Sequence, residues 1–470
     1  MFNKTYLSVA IAALLCHPLA SFAASDADLQ AIREQINQLK QSYEQRITQL
    51  EQRLQQAEAT SKQAESVATQ AQATAQQAST QQTTQPVTAA QPATTEGAFN
   101  PAISLILGGS YGTLQRNPAT PATGFAMSAN PGHTQGFNLG ESELGIAANI
   151  DPDYRGVATL ALAPAGGVTV ENAYVQTSAL GNGLNLKFGR YFSALGYLNE
   201  IHAHAWDFVD QPLVYATLWN NQLGEDGVQL KWLAPTETFI ELGGELGRGR
   251  GFPGSDRAKN GTGSSVLFAH IGDDIGIEQS WRVGASLHTT RAENRTSDGV
   301  PDLPGTVGGV SNSFSGDSRT AGLDFVWKYA PNGNTANRYI KVQGEYFQRT
   351  ESGQLTYDTA LINNPDSYSN KQSGWYLQSV VQFMPHWRTG LRYDQLDPGT
   401  AAVGALNAGN VISNYGFMPS RASWMLDYSP SEFSRLRLQL ARDHSRQGQP
   451  DNQLFLQYIM SMGAHGAHQY

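Results

Sequence analysis

The sequence predicts an all-β protein, a transmembrane antiparallel β-barrel of about 16 strands, preceded by a short α-helical coiled coil. Three observations lead there. Apolar and polar residues alternate with period two from Ile103 onward, the strand-length segments number an even count, and their connections are by turns short and long.

Residues 1–23 carry Lys4, an apolar stretch from Leu7 to Leu15 and the ending Ser21-Phe22-Ala23. A basic region, a short apolar core and a small-x-small site make a secretory signal peptide, with cleavage expected after Ala23. The core falls short of the ~20 apolar residues that a spanning helix takes. Cys16, the sole cysteine, would leave with it, so the mature chain has no disulfide, thiolate metal site or cysteine nucleophile.

Residues 24–58 follow a heptad. Leu29, Ile32, Ile36, Leu39, Tyr43, Leu50 and Ala57 step by threes and fours, with Ile47 and Leu54 beside the same stripe. A seam of this kind needs a partner helix, so a self-associating periplasmic coiled coil is expected. Residues 59–100 then turn to Ala, Gln, Thr and Ser with Pro86 and Pro92, a composition that builds no core and reads as a flexible linker.

Residues 101–470 form the expected barrel. The segment Arg435-Leu436-Arg437-Leu438-Gln439-Leu440 alternates without a fault, and Val228–Trp232, Tyr339–Gln343 and Trp387–Tyr393 repeat the pattern. Segments of about 9–12 residues match a tilted membrane-spanning strand, where soluble strands average about 5–6. Every second connection is turn-like, as at Asp151-Pro152-Asp153, Gly181-Asn182-Gly183, Gly272-Asp273-Asp274, Pro331-Asn332-Gly333 and Ser429-Pro430-Ser431. Most of the others are long and polar: 114–136, 193–225, 248–263, 294–318, 351–370 and 396–420. Short periplasmic turns and long outer loops are the asymmetry of outer-membrane barrels.

Composition agrees. An apolar fraction of 40% beside 47 Gly, 19 Tyr, 18 Phe and 8 Trp fits a barrel with a wet interior and aromatic girdles. A net charge of -9 argues against a nucleic-acid partner. A receptor of about 22 strands with a plug domain is excluded by length, because roughly 370 residues supply about 16 strands with their loops. No nucleophile motif accompanies His288 or His444, so no enzyme is expected.

Charge on a lipid face is costly, so alternation sends the charged side chains inward. The expected pore lining is Lys187, Lys231, Arg282, Lys341, Arg388, Arg392, Arg435 and Arg437, with Glu141, Glu143, Glu241, Glu245, Glu345 and Asp394 among the acids. The third outer loop, 193–225, is apolar and aromatic for an exposed segment, with Tyr197, Trp206, Phe208, Tyr215 and Trp219, so it should pack against the barrel interior. Glu200, His202, His204, Asp207 and Asp210 would then form the pore constriction. His202 and His204 are also candidate metal ligands.

The step Phe188-Gly189-Arg190-Tyr191-Phe192 into that loop, with Glu171–Val175 before it, resembles the phosphate-selective porin O/P family, as does a coiled coil on a spacer ahead of the barrel. The resemblance implies a passive channel for small hydrophilic solutes or ions, a 16-stranded homotrimer in outer-membrane lipid, and an inward third loop. The family's anion preference rests on lysines in the constriction. Here the loop carries no Lys or Arg, and weak cation preference is expected instead, fading as His202 and His204 protonate near about pH 6.5. No cofactor is expected. Two other functions fit the same residues: uptake of a divalent metal such as zinc through the histidine-bearing loop, and a structural barrel tethering the outer membrane to the cell wall.

Overall fold

The computed structural model describes residues 101–463, apart from 117–120, 126–134, 163–165, 179, 256–259 and 301–309. The expected signal peptide, coiled coil and linker lie outside the described residues, as do His465 and His468.

The described residues form a closed, 16-stranded antiparallel barrel. β1 is Ala102–Thr113. β2 is interrupted, with Gly136–Leu139 and Ser142–Asn149 both pairing with β1. The next strands are β3 (Tyr154–Leu162), β4 (Val168–Thr177), β5 (Leu184–Phe192), β6 (Gly224–Leu233), β7 (Phe239–Gly247) and β8 (Ser264–Ile275). β9 (Gln279–Val300), β10 (Val310–Tyr329), β11 (Tyr339–Tyr357) and β12 (Asn364–Met384) are the long ones. β13 (Trp387–Asp397), β14 (Ser420–Ser431), β15 (Ser434–His444) and β16 (Asp451–Gly463) complete the wall. Closure comes from β1 against β16, in register from Ser104 opposite Gly463 to Thr113 opposite Leu454. Closing the sheet leaves no strand edge unpaired, which a bilayer requires.

The outer surface is an apolar belt. Leu242, Leu267, Leu323, Leu391, Leu436 and Leu456 are all exposed, with Leu391 at 65%. Near the short turns the exposed side chains become aromatic, including Tyr154, Trp232, Phe239, Phe383 and Tyr428, where amphipathic rings suit the lipid–water boundary. Alternate residues on the same strands are buried and polar, such as Gln439 beside Leu440 and Arg392 beside Leu391. The outer surface therefore demands lipid. Leu391→Arg should cost about 2–4 kcal/mol at mid-depth and sharply lower the yield of heat-modifiable folded barrel, whereas Leu391→Phe should leave the yield unchanged.

Two expected loops are largely strand in their described residues. Residues 294–318 and 351–370 were expected as irregular, with strands beginning near Arg319 and Lys371. Instead β9–β12 run 22, 20, 19 and 21 residues, and pairing continues as far as Tyr357 opposite Asn364. The extension has its own support. Phe314, Leu355 and Ala292 form a small buried cluster with Tyr368 and Val411 packed on it, and Arg295 reaches Glu351 at 2.8 Å. Two turns also shift, because β8 runs through Gly272-Asp273-Asp274 to Ile275 and β14 runs through Ser429–Ser431.

Candidate functional site: a loop anchored inside the barrel

The segment Ser193–Leu223 folds back into the lumen. Its neck is closed by Asn199, whose Nδ2 donates to the carbonyls of Ser193 (2.8 Å) and Leu223 (3.0 Å) while its Oδ1 accepts from Leu223 N (2.7 Å). Ala194 N donates to Glu245 of β7 at 2.8 Å. Glu345 of β11 then gathers four donors: the backbone N–H groups of Tyr197 (2.9 Å) and Leu198 (3.1 Å), and the hydroxyls of Tyr215 (2.8 Å) and Tyr376 (2.6 Å). Gly196 makes that approach feasible. Its φ is +70°, and a Cβ there would lie 2.2 Å from Glu345 Oε2.

The loop's apolar half packs on the wall as a core. α1 (Leu213–Trp219) is buried at all seven positions, and Asp394 of β13 accepts from its first N–H at 2.9 Å. Trp219 and Tyr215 meet Phe347 edge-on at 4.5 and 5.4 Å between ring centres. Phe268, Tyr376 and Leu396 close the same cluster. Each fully buried side chain of this kind contributes about 1.5–3 kcal/mol, so the loop is a packed element and not a mobile flap.

The charged half is tied by ion pairs, and every expected constriction residue is engaged. Glu200 lies within 3.8 Å of Lys187 and 3.2 Å of Lys231. Asp207 lies between Lys341 and Arg388, and accepts from Gln378 at 3.0 Å. Burial alone would raise the Asp207 carboxyl, but the two cations hold it below the usual carboxylate range. Asp210 lies between Arg392 (2.8 Å) and Arg421 (2.6 Å) and accepts from Gln439 at 2.9 Å. The expected cation preference took the loop's acids as a negative constriction, and each of them is paired with wall cations. Wall cations outnumber the loop's three acids and neutralise them.

The basic residues of the late strands serve the same docking. Arg437 donates to the Trp206 carbonyl at 2.8 Å and to Asp427 at 2.8 Å, and Arg388 also pairs with Asp427. Arg435 reaches the His204 carbonyl at 3.4 Å. Arg282 faces Asp324 at 3.3 Å, under the ring of Tyr197. Arg421, Asp427 and Gln439 were not among the expected site residues. Arg421 opens β14, and its contact with Asp210 spans most of the barrel in sequence.

His202 and His204 meet the opposite wall. His202 Nδ1 lies 3.3 Å from Glu143 and 3.1 Å from Glu171, and its Nε2 lies 2.8 Å from the Asn172 amide. His204 Nδ1 lies 3.2 Å from the same oxygen of Glu143. Burial opposes a charge on His202, but its hydrogen bonds to Glu143 and Glu171 outweigh that and hold its pKa up at about 10. With no cation bound, the two carboxylates keep this imidazole protonated above pH 6.5.

No family model matches the chain. Over 361 residues it is 31% identical to an uncharacterized protein of Aquifex aeolicus (strain VF5), covering 72% of this chain and 70% of that one. Among solved structures it is similar to the outer membrane channel DcaP of Acinetobacter baumannii, at 13% identity and TM-score 0.44 over 77% of this chain and 97% of that one. It is also similar to an anion-selective porin from Comamonas acidovorans, at 12% identity and TM-score 0.42 over 77% and 99%.

Proposed function

The chain belongs to the same family as the Aquifex aeolicus protein, and from its geometry we propose that it is an outer-membrane porin, a passive channel for small hydrophilic solutes. One observation carries the reading: a closed barrel with an apolar exterior holds an interior lined by Lys, Arg, Asp and Glu. Inward charge at this density needs water, and a water-filled barrel through a bilayer conducts. The loop 193–223 then sets the aperture. Its acids and the wall cations pair with one another, so neither phosphate preference nor cation preference follows from residue counts in the loop alone. A homotrimer aided by the segment 24–58 is part of the proposal, because a heptad seam stays uncovered in one chain.

The purified full chain in a planar bilayer should give discrete conductance steps in molar salt. A folded, heat-modifiable barrel that inserts but passes no current would defeat the proposal and leave a structural tether to the cell wall as the better reading.

A further inference from the structure

We infer that Glu141, Glu143, His202 and His204 form a binding site for a divalent transition cation of the zinc type, which pins the inner loop to β2. The four residues each offer a ligand atom, and these atoms lie within 4.8 Å of one another. Two imidazole nitrogens and two carboxylate oxygens are a zinc donor set. A tetrahedral ion with bonds of about 2.0–2.1 Å needs its donors about 3.3 Å apart. Two of the pairs already lie near that spacing, His202 and His204 each standing 3.3 and 3.2 Å from one oxygen of Glu143.

Three features of the wall point to the site. First, β2 bulges there. Gly109 pairs with Leu139 but Ile106 pairs with Glu143, so the three residues 140–142 stand against only Leu107 and Gly108. Bulges re-aim side chains and gather near functional sites. This one is held by Gly140 N donating to the Gly108 carbonyl at 3.0 Å and Gly108 N donating to Ser142 Oγ at 3.0 Å. A Cβ on Gly108 would meet the Glu141 carbonyl at 2.5 Å. Second, Glu141 Oε2 is buried with no hydrogen-bond partner among the described residues, a costly state for a carboxyl oxygen that a cation would relieve. Third, Asn172 holds His202 Nε2 at 2.8 Å, leaving Nδ1 turned to the carboxylates. With the Asn172 amide turned so that its Oδ1 accepts from Nε2–H, Nδ1 is left as the ligand, the arrangement usual for metal-bound histidines.

The placement gives the cation a task. At Glu200, Asp207 and Asp210 the loop's carboxylates are tied by Lys and Arg, but against β2 the contact is imidazole to carboxylate. An ion there would bridge loop and wall directly. A proton on His202 closes the same cluster without metal, so the test must separate the two.

The full-length protein in detergent is incubated with zinc chloride, desalted and measured for metal content, with folding checked by heat modifiability. The expected result is one zinc per chain lost on His202→Ala/His204→Ala, with His465 and His468 left in place. Glu141→Gln, which leaves the loop sequence intact, should weaken binding by tenfold or more. Hydrogen exchange in 199–206 should slow with zinc only in the parent. Zinc content equal in the parent and the folded double variant would overturn the inference, as would no retained zinc in the parent. Metal content is read without any current, so this outcome stands apart from the channel proposal.

Discussion

Glu345→Ala is expected to release the inner loop while leaving the barrel closed. The carboxylate accepts from two backbone N–H groups of the loop and from two tyrosine hydroxyls, one of them Tyr215 of the buried helix. Removing it strands four donors in a place where water enters poorly, at about 1–3 kcal/mol for each one left unpaired. The total, about 4–12 kcal/mol, exceeds the 2.8 kcal/mol or so that a hundredfold change in a local opening equilibrium requires. Hydrogen exchange in 193–223 should therefore accelerate by a hundredfold or more while β13–β16 stay protected. The open-channel current should rise and become noisy. Glu345→Gln makes a finer probe, because its NH₂ would face donors and one side of the bond set must fail. Exchange in 193–223 unchanged in Glu345→Ala would mean that the apolar cluster around Trp219 and Phe347 holds the loop alone.

Most of the wall was legible because lipid and water impose the alternation locally. Leu436, Leu440 and Leu391 face out, and Arg437, Gln439 and Arg392 face in, as period two requires. The same rule explains the misses. Beyond the apolar belt the outward face of β9–β12 is polar, so residues such as Ser311–Ser318 show no apolar–polar alternation and read as loop. Their support, Phe314 with Leu355 and Tyr368, is three large apolar side chains scattered over more than fifty residues. The loop's inward packing followed from its aromatic content, since Trp219, Tyr215 and Phe208 would not favour open water. Its partners did not follow. Asp210 meets Arg392 across 182 residues, and nothing local marks which of the inward arginines takes it. Gln439 shows the limit of face assignment: it points inward as expected, but accepts from Val209 N at 2.7 Å and donates to Asp210. It anchors the loop, and a substitution there would not be neutral. Glu143 and His202 each sit where alternation and loop composition put them, but only the folding of the loop back into the lumen brings them together.

Asp207→Asn combined with Asp210→Asn is expected to shift ion preference toward anions and to widen the channel. Each aspartate lies between two cations of the wall, Lys341 and Arg388 for Asp207, Arg392 and Arg421 for Asp210. Breaking a buried pair from one side costs about 3–5 kcal/mol, because the remaining charge stays desolvated and unmatched. The freed cations would then either draw counter-ions from solution or swing into the lumen, and both responses favour anions at the narrow point. Asp394 and Asp427 remain to hold part of the charge, which keeps the arginines folded against β13–β15 and the barrel intact. Reversal potentials in a salt gradient should move in the anion direction relative to the parent, and single-channel conductance should increase. The parent's own preference sets only the starting point, since the direction of the shift follows from the pairing. A double variant with unchanged reversal potential and conductance would mean that the permeating path avoids Asp207 and Asp210, and that the aperture lies on the other side of the loop, between Glu200 and the β5–β7 wall.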